Sequence, residues 1–429
     1  MEGAGSQTGR AGLRQWCRGL RVSVVGGSIG GLAAAIALHN AGANVKVLER
    51  RSVMLDEGAG IALRPDGVEG LARLGLNLPK TPEWSWRYGS VRDGNVKVRV
   101  EWRTSLTAFT YSRLRGMLSE AAVGIDYRPN SRVVSIADDA DHPRLQLEGG
   151  AEIESDLVVA ADGIDSQTRN SLFPSVQPQD TGITLLRGFV RKEVVERIFP
   201  LSVLQKFERG NTQMFASSPK GGWWLGHLLP DLGAGRMFQW IFYLPTNADE
   251  QKEFLTDADG VTQRWSTKAE KTSTAAKRKL RETFESYYPK KLVPLADAGA
   301  IMVHRNVKLL VPSMTEDRVC LVGDAAHVAP PWATSGASLA IADGVALADQ
   351  LNAARSVEEG LAAWNNQRLE AARAMLALAD KIQNNTLTHP PELVSATAEE
   401  AKAWMESIIA PGMPVTVFDV VAQPPIFDS

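Results

Sequence analysis

The chain is 429 residues long, 44% hydrophobic and 22% charged, with 47 basic against 49 acidic side chains and a formal net charge of -2. That length exceeds one ordinary core and predicts two sequential or intertwined domains, while the balanced charge leaves neither a basic field for nucleic acid nor an acidic solvating tail. Two cysteines, Cys17 and Cys320, six scattered histidines and no run of about 18 apolar residues argue against a disulfide framework, a clustered metal site and a membrane span, and favour a reducing, cytoplasmic setting.

The N-terminus carries Arg10, Arg14, Arg18 and Arg21 against a single acid, Glu2. It reads as a lead-in to the first strand or, faintly, as an organelle transit peptide. Arg21–Val25 is β-branched and predicts a buried strand; a glycine cluster follows, then an alanine-rich helix over Leu32–Ala41 ended by Gly42, and a second strand over Asn44–Glu49. This βαβ start predicts a parallel sheet. Asp66–Leu74 reads as a helix, Tyr88–Trp102 as a hairpin around Asp93-Gly94, Ser112–Ala122 as a helix and Asp156–Ala161 as another strand.

From about Gly182 to Tyr243 the texture changes to short segments rich in Phe, Trp, Met and Leu, which predict a mostly antiparallel sheet. Asn247 to Pro289 is polar and helix-prone. Arg318–Val322 returns to a buried strand, followed by long helices over Gly336–Leu351 and Val357–Asn384, and Thr386–Ser429 is loop-rich with one short helix. The expected fold is α/β: a Rossmann-like nucleotide-binding domain from residues 21–85, 110–180 and 295–385, an inserted sheet domain from 86–109 and 181–294 for substrate, and a C-terminal extension over 386–429.

The first chemical signal is Gly26-Gly27-Ser28-Ile29-Gly30-Gly31 between strand and helix. Gly26 permits the tight turn, Gly31 permits close helix–strand packing, and the helix N-terminus offers free N–H groups to a diphosphate. Ser28 replaces the usual second glycine; its side chain narrows the approach, although its hydroxyl can donate. Glu49 ends the next strand at the ~20-residue offset suited to ribose hydroxyls. Asp162-Gly163 at a strand end can be a second cofactor contact or mere helix capping. Gly323-Asp324 follows another strand, where the carboxylate can accept from polyol hydroxyls, and the Gly336-Ala337 helix start can face a negative ring edge.

These three signals in this order resemble the class A FAD-dependent monooxygenases of the aromatic-hydroxylase type. Gly58–Leu63, Arg113-Leu114 and Ile341–Ala348 match in the same order, so the resemblance covers Val22 to Leu351. Within the class the chain most resembles the 2,6-dihydroxypyridine 3-hydroxylase-like proteins, through its glycine loop and through Arg236–Tyr243 followed by Leu255–Gly260; Pro330–Ala340 departs from that group, and His327 stands where an aromatic is common.

The resemblance implies a GR2-type FAD-binding domain with non-covalent FAD. It puts Gly26, Ser28 and Ile29 at the diphosphate, Glu49 at the adenosine ribose, Gly60 on a cofactor-side loop and Arg113 against diphosphate charge. It further puts Asp162 at FAD and a transient NAD(P)H, Asp324 at the diphosphate–ribitol region, Gly336 and Ala337 by the flavin ring, and Pro331, with Pro330 and Trp332, on the flavin face. NAD(P)H would reduce FAD, O₂ would add at flavin C4a, and one oxygen atom would pass to a small aromatic or other ring substrate by hydroxylation or epoxidation. An oxidase or dehydrogenase on the same fold is the alternative. Arg187 falls either near the active site or in a sheet-edge salt bridge. His227 is either a general base for a phenol or a surface or core histidine, and strand alternation sends half of Trp223-Trp224 and Phe238–Tyr243 away from any pocket.

Overall fold

The structure, a computed structural model, describes all residues except 1–16, 53–59, 79–83, 93–94, 105, 138–141, 210–211, 219, 230–236, 298–299, 392–395, 409–414 and 421–429. The arginine-rich lead-in up to Arg14, Gly58, Ala59, the Asp93-Gly94 turn and Arg236 therefore lie outside the described residues.

The β-branched run forms β1 (Arg21–Val25), and the alanine-rich run forms α1 (Ile29–Asn40). The helix begins three residues earlier than its apolar run, because Ser28 takes the extended N-cap position and Ile29 is already buried. β2 (Asn44–Leu48) returns parallel to β1. Then come β3 (Gly60–Leu63), α2 (Pro65–Arg73), β4 (Trp84–Arg92), β5 (Asn95–Thr104), β6 (Thr107–Thr110), α3 (Tyr111–Ala121) and β7 (Asp126–Arg128). β8 (Val133–Ala137), β9 (Arg144–Leu147) and β10 (Glu152–Glu154) make a small antiparallel sheet before β11 (Leu157–Ala160) and α4 (Gln167–Leu172).

The inserted part runs through β12 (Gln179–Arg191), α5 (Lys192–Glu196), α6 (Leu201–Arg209), β13 (Thr212–Ser217), β14 (Trp223–Leu228), β15 (Met237–Pro245), α7 (Ala248–Leu255), α8 (Thr274–Tyr287) and α9 (Val293–Asp297). The chain closes with β16 (Ala300–Leu310), β17 (Thr315–Glu316), β18 (Val319–Leu321), β19 (His327–Val328), α10 (Gly336–Ala353), α11 (Val357–Ile382), α12 (Ala398–Ile408) and β20 (Val415–Val420).

Two sheets organise these elements. The first has six strands in the order β17-β18-β11-β1-β2-β7, parallel apart from β17, so β1 lies between an early and a late piece of the chain. The mixed α/β architecture agrees with the sequence reading. The second sheet has nine strands in the order β19-β16-β12-β15-β14-β13-β4-β5-β20 and is mostly antiparallel. Its central strands are apolar on both faces because both are covered. Leu186, Val190, Trp224, Phe238, Trp240 and Phe242 join one core with Phe254, Leu280 and Phe284 of α7 and α8. Ile183, Leu185, Trp223, Leu225, Ile241 and Tyr243 join another with Trp332, Leu339 and the C-terminal Leu387 and Ala401. Side-chain alternation thus makes a back and a front of one sheet.

Two expectations need correction. Residues 107–109, expected in the large sheet, belong to β6, which turns back and pairs with β3 in the register Gly60↔Thr110 to Leu63↔Thr107. The C-terminal extension holds more than one short helix: a π-helical turn over Gln383–Thr388, α12, and β20, which pairs antiparallel with edge strand β5. The β-branched run Val415-Thr416-Val417 is the physical reason, since it suits an added edge strand.

Candidate active site

Gly26 has φ +103°, and a Cβ there would sit 2.4 Å from the Ala161 carbonyl oxygen; one on Gly31 would sit 1.9 Å from the Gly26 carbonyl oxygen. No side chain fits at either position, so the loop lies directly on the end of β11. The Ser28 hydroxyl, expected at the diphosphate, instead bonds the Tyr111 hydroxyl at 2.7 Å. Glu49, at the end of β2, is buried: one carboxylate oxygen accepts from the Gly27 N–H and the other from the Arg51 N–H, each at 2.8 Å.

Arg115, which sequence reasoning passed over, braces the loop. Its Nε donates to the Gly27 carbonyl at 3.1 Å and its terminal nitrogen to the Tyr127 hydroxyl at 3.0 Å. Arg113, the residue expected at the diphosphate, is exposed, and its backbone N–H donates to the Thr110 cap. The two arginines point about 160° apart around α3. Leu114 and Leu118 fix the buried side, and Arg115 is half-buried beside them. That apolar pair was the signal that could have separated them.

Asp162 caps and also remains available. One oxygen accepts from the Thr168 N–H and hydroxyl, both at 3.2 Å, while Oδ1 is buried with no partner. Arg169, also missed, ties this loop to the next: it donates to the carbonyls of Ile164 at 2.6 Å, Ala325 at 3.3 Å and Asp324 at 3.4 Å. Asp324 is open to both cavities, and its place deep in the fold, away from bulk water, raises its carboxyl above its ordinary value. Behind it, Asp343 accepts from the Gly323 N–H at 3.0 Å, bonds His327 Nε2 at 2.8 Å and accepts from Arg368 Nε at 2.8 Å. Burial pushes the Asp343 carboxyl up, but His327, Arg368 and these hydrogen bonds hold it down at about 2. The Gly323-Asp324 turn is therefore anchored through a buried carboxylate to α10 and α11.

Two cavities meet at this frame. One, about 600 Å³, is lined by Gly26, Glu49, Arg51 and Asp162; the other, about 440 Å³, by Ile29, Gly60, Pro331, Ser335, Gly336 and Ala337. Ser28, Tyr111, Ala161, Gly163 and Asp324 line both, so together they run past the glycine loop as one trough. An elongated dinucleotide fits such a trough, and the donor set agrees. The tight glycine cradle suits a diphosphate, Asp162 Oδ1 and Asp324 are open acceptors for hydroxyls, and the buried Ser335 hydroxyl at the start of α10 has no partner. Arg113 lines neither cavity, and Pro330 lies outside the lining while Trp332 belongs to it.

The front of the nine-stranded sheet closes the second cavity. Arg187 of β12, Trp223, Leu225 and His227 of β14, and Gln239, Ile241 and Tyr243 of β15 all line it. The register explains the set, because Arg187 pairs with Ile241, Leu225 with Ile241, and His227 with Gln239. β12 lies between β15 and β16, so Arg187 is no sheet-edge residue, and among the described residues it makes no ion pair. Burial lowers its guanidinium from the usual value, opposed by the Tyr243 hydroxyl. Burial, and then Arg187, bring His227 down to about 3, and the same causes do so for His304. Burial lifts Tyr243 to about 12 against the pull of Arg187. A neutral imidazole and a neutral phenol thus flank one fixed cation.

The family model described as FAD binding domain matches residues 20–379. The chain is 27% identical over 376 residues to 2,6-dihydroxypyridine 3-monooxygenase of Paenarthrobacter nicotinovorans, covering 84% of this chain and 90% of that protein. It is 25% identical over 371 residues to 6-hydroxynicotinate 3-monooxygenase of Pseudomonas fluorescens, covering 82% and 88%. Among solved structures, 2,6-dihydroxypyridine-3-hydroxylase from Arthrobacter nicotinovorans superposes with a TM-score of 0.75 at 24% identity, over 94% of this chain and 98% of that one.

Proposed function

Because the chain belongs to the FAD binding domain family and is a flavin-dependent monooxygenase, we propose that it uses NAD(P)H and O₂ to insert one oxygen atom into a small ring substrate held against the front of the large sheet. One observation carries the reading: a single cavity is walled on one side by Gly60, Pro331, Gly336 and Ala337 of the cofactor frame and on the other by Arg187, His227, Gln239 and Tyr243 of the sheet. When bound, FAD supplies the redox and oxygen chemistry that these side chains lack.

The chain's own residues bind, orient and exclude water. The Gly26–Gly31 loop takes the diphosphate, Glu49 lies at the ribose end of the trough, and Asp162 and Asp324 take hydroxyls. The start of α10, with the unpaired Ser335 hydroxyl, meets an electron-rich ring edge. Trp223, Tyr243 and Trp332 seal the apolar end; Trp332 is fixed by its Nε1 donating to the Ala379 carbonyl at 2.8 Å and stands edge-on to Tyr243. The six-stranded sheet with its helices holds the cofactor, and the front of the nine-stranded sheet shapes the substrate end. Both cysteines are free and buried, and no helix among the described residues is long and apolar enough to cross a membrane; a cytoplasmic supply of NAD(P)H suits both facts.

The purified chain should be yellow and release its flavin to the supernatant on acid precipitation. NAD(P)H consumption should rise when a suitable ring substrate is added, with a product one oxygen atom heavier. Flavin that stays with the pellet, or a product that has lost hydrogen without gaining oxygen, contradicts the reading.

A further inference from the structure

A serine, threonine or asparagine that stands just before a helix ordinarily turns its side chain back to accept from the N–H three residues on. Thr110, Ser166, Asn247, Ser273 and Ser356 all do so. Ser28, in the same extended position before α1, does not. Its hydroxyl is turned instead to the Tyr111 hydroxyl, 2.7 Å away on the first residue of α3. Two hydroxyls carry two protons, and the hydrogen bond between them uses one. Neither has another partner among the described residues, so the pair keeps one proton to give. Ser28 and Tyr111 line both cavities, which places that proton where the trough passes the glycine loop. The remaining polar side chain at this crossing is the Asp324 carboxyl. The cations of the trough stand away from it: Arg50, Arg51 and Arg132 line one cavity only, and Arg187 only the other. Arg115 lines neither and donates to the Gly27 carbonyl and the Tyr127 hydroxyl.

We propose that Ser28 and Tyr111 act as one interchangeable donor to the FAD diphosphate. The pair sends its spare proton to a phosphate oxygen, and either hydroxyl can send it because the other can accept. The proton is shared in a hydrogen bond and not transferred. A charged acceptor makes that bond stronger than one between neutral groups, and the hydroxyl behind it polarises the one in front. The inference rests on the FAD-dependent reading and adds a residue of α3 to the diphosphate site. Interchangeability also has a signature that packing does not produce. Removing one hydroxyl frees the other to donate, whereas removing both leaves the anion with no side-chain donor at the crossing.

The test strips flavin from the full-length chain and titrates FAD back, read by quenching of flavin fluorescence, in wild type, Ser28→Ala, Tyr111→Phe and the double variant. Each single variant should hold FAD within about twofold of wild type, and the double variant should bind it about tenfold or more weakly, well beyond the two single effects combined. ADP, measured by displacement of FAD, should lose the same factor in the double variant, while riboflavin, which has no phosphate, should bind as it does to wild type. Should the double variant not fold, Ser28→Gly with Tyr111→Phe removes the same two hydroxyls. A double variant within about twofold of wild type overturns the proposal, and so does a single variant as weak as the double, which would leave one hydroxyl as the sole donor. Riboflavin and ADP weakened alike also overturn it and reduce the pair to a strut between α1 and α3. A wild-type chain that takes up no FAD would overturn the cofactor reading as well, whereas each of the other results leaves that reading standing.

Discussion

The two faces of the nine-stranded sheet come from the same three strands and do opposite work. On the back, Trp224, Phe238, Trp240 and Phe242 alternate out of β14 and β15 into an aromatic core, where Trp240 and Phe242 each meet Phe284 edge-on at 5.5 Å. On the front, the intervening residues Trp223, His227, Gln239, Ile241 and Tyr243 face a cavity, together with Arg187, which among the described residues has no carboxylate partner. The back face is complete within the chain. On the front face Arg187 is buried with its Nε unbonded, which is how a cavity wall differs from a core built on the same pleat.

The sharpest way to break this contrast is from behind. Trp240→Ala should cost about 3–5 kcal/mol of stability, seen as a large fall in the urea midpoint, because a fully buried indole leaves a cavity. Any surviving folded protein should keep its FAD. A smaller effect is expected from Gly188→Ala. Its new Cβ would stand 2.2 Å from the Trp240 ring, and overpacking of this kind costs about 1–3 kcal/mol. A melt unchanged by this substitution would show that the back face has slack that the packing denies.

From the front the sign reverses. Arg187→Met removes a buried charge that no carboxylate of the described residues pairs, so the unliganded protein should gain stability, by about 1–3 kcal/mol. A large loss of stability instead would make Arg187 a structural residue.

The smallest effect is a pH slope. His227 and His304 are brought down from 6.5 to about 3 in the folded state. Below pH 6.5 the unfolded chain takes up protons that the folded chain refuses. Their stabilising contribution is therefore present above 6.5 and lost as pH falls toward 3. His227→Gln should flatten the decline of the melting temperature between pH 7 and pH 5, and an identical slope would contradict the neutral front face.

Much of this was legible beforehand. The β-branched runs, the alanine-rich helix and the Gly26, Asp162 and Asp324 loops all sit on strand ends that periodicity and turn chemistry mark. Alternation also foretold that only half of the aromatic cluster would face the pocket. What stayed hidden depends on side-chain direction across long separations. That Arg115 braces the loop follows from which side of α3 is buried, a matter of two residues. Arg169 and Arg368 are indistinguishable from surface arginines until the fold brings Ala325 and Asp343 to them. The choice between pocket and salt bridge for Arg187 required knowing that β12 is interior, which depends on β16 returning more than 100 residues later. Ser28, at the start of α1, and Glu49, at the end of β2, bond the Tyr111 hydroxyl and the Gly27 N–H within the protein, contacts that periodicity does not reveal.

The measurement that most directly tests oxygen insertion at the meeting of the two walls is product mass under ¹⁸O₂ in unlabelled water, with NAD(P)H and a panel of small ring compounds. The account predicts one ¹⁸O atom per product molecule and one NAD(P)H consumed for each. Product oxygen drawn from water, or oxidation that proceeds without NAD(P)H and adds no oxygen, would contradict it and leave an oxidase or dehydrogenase on the same fold.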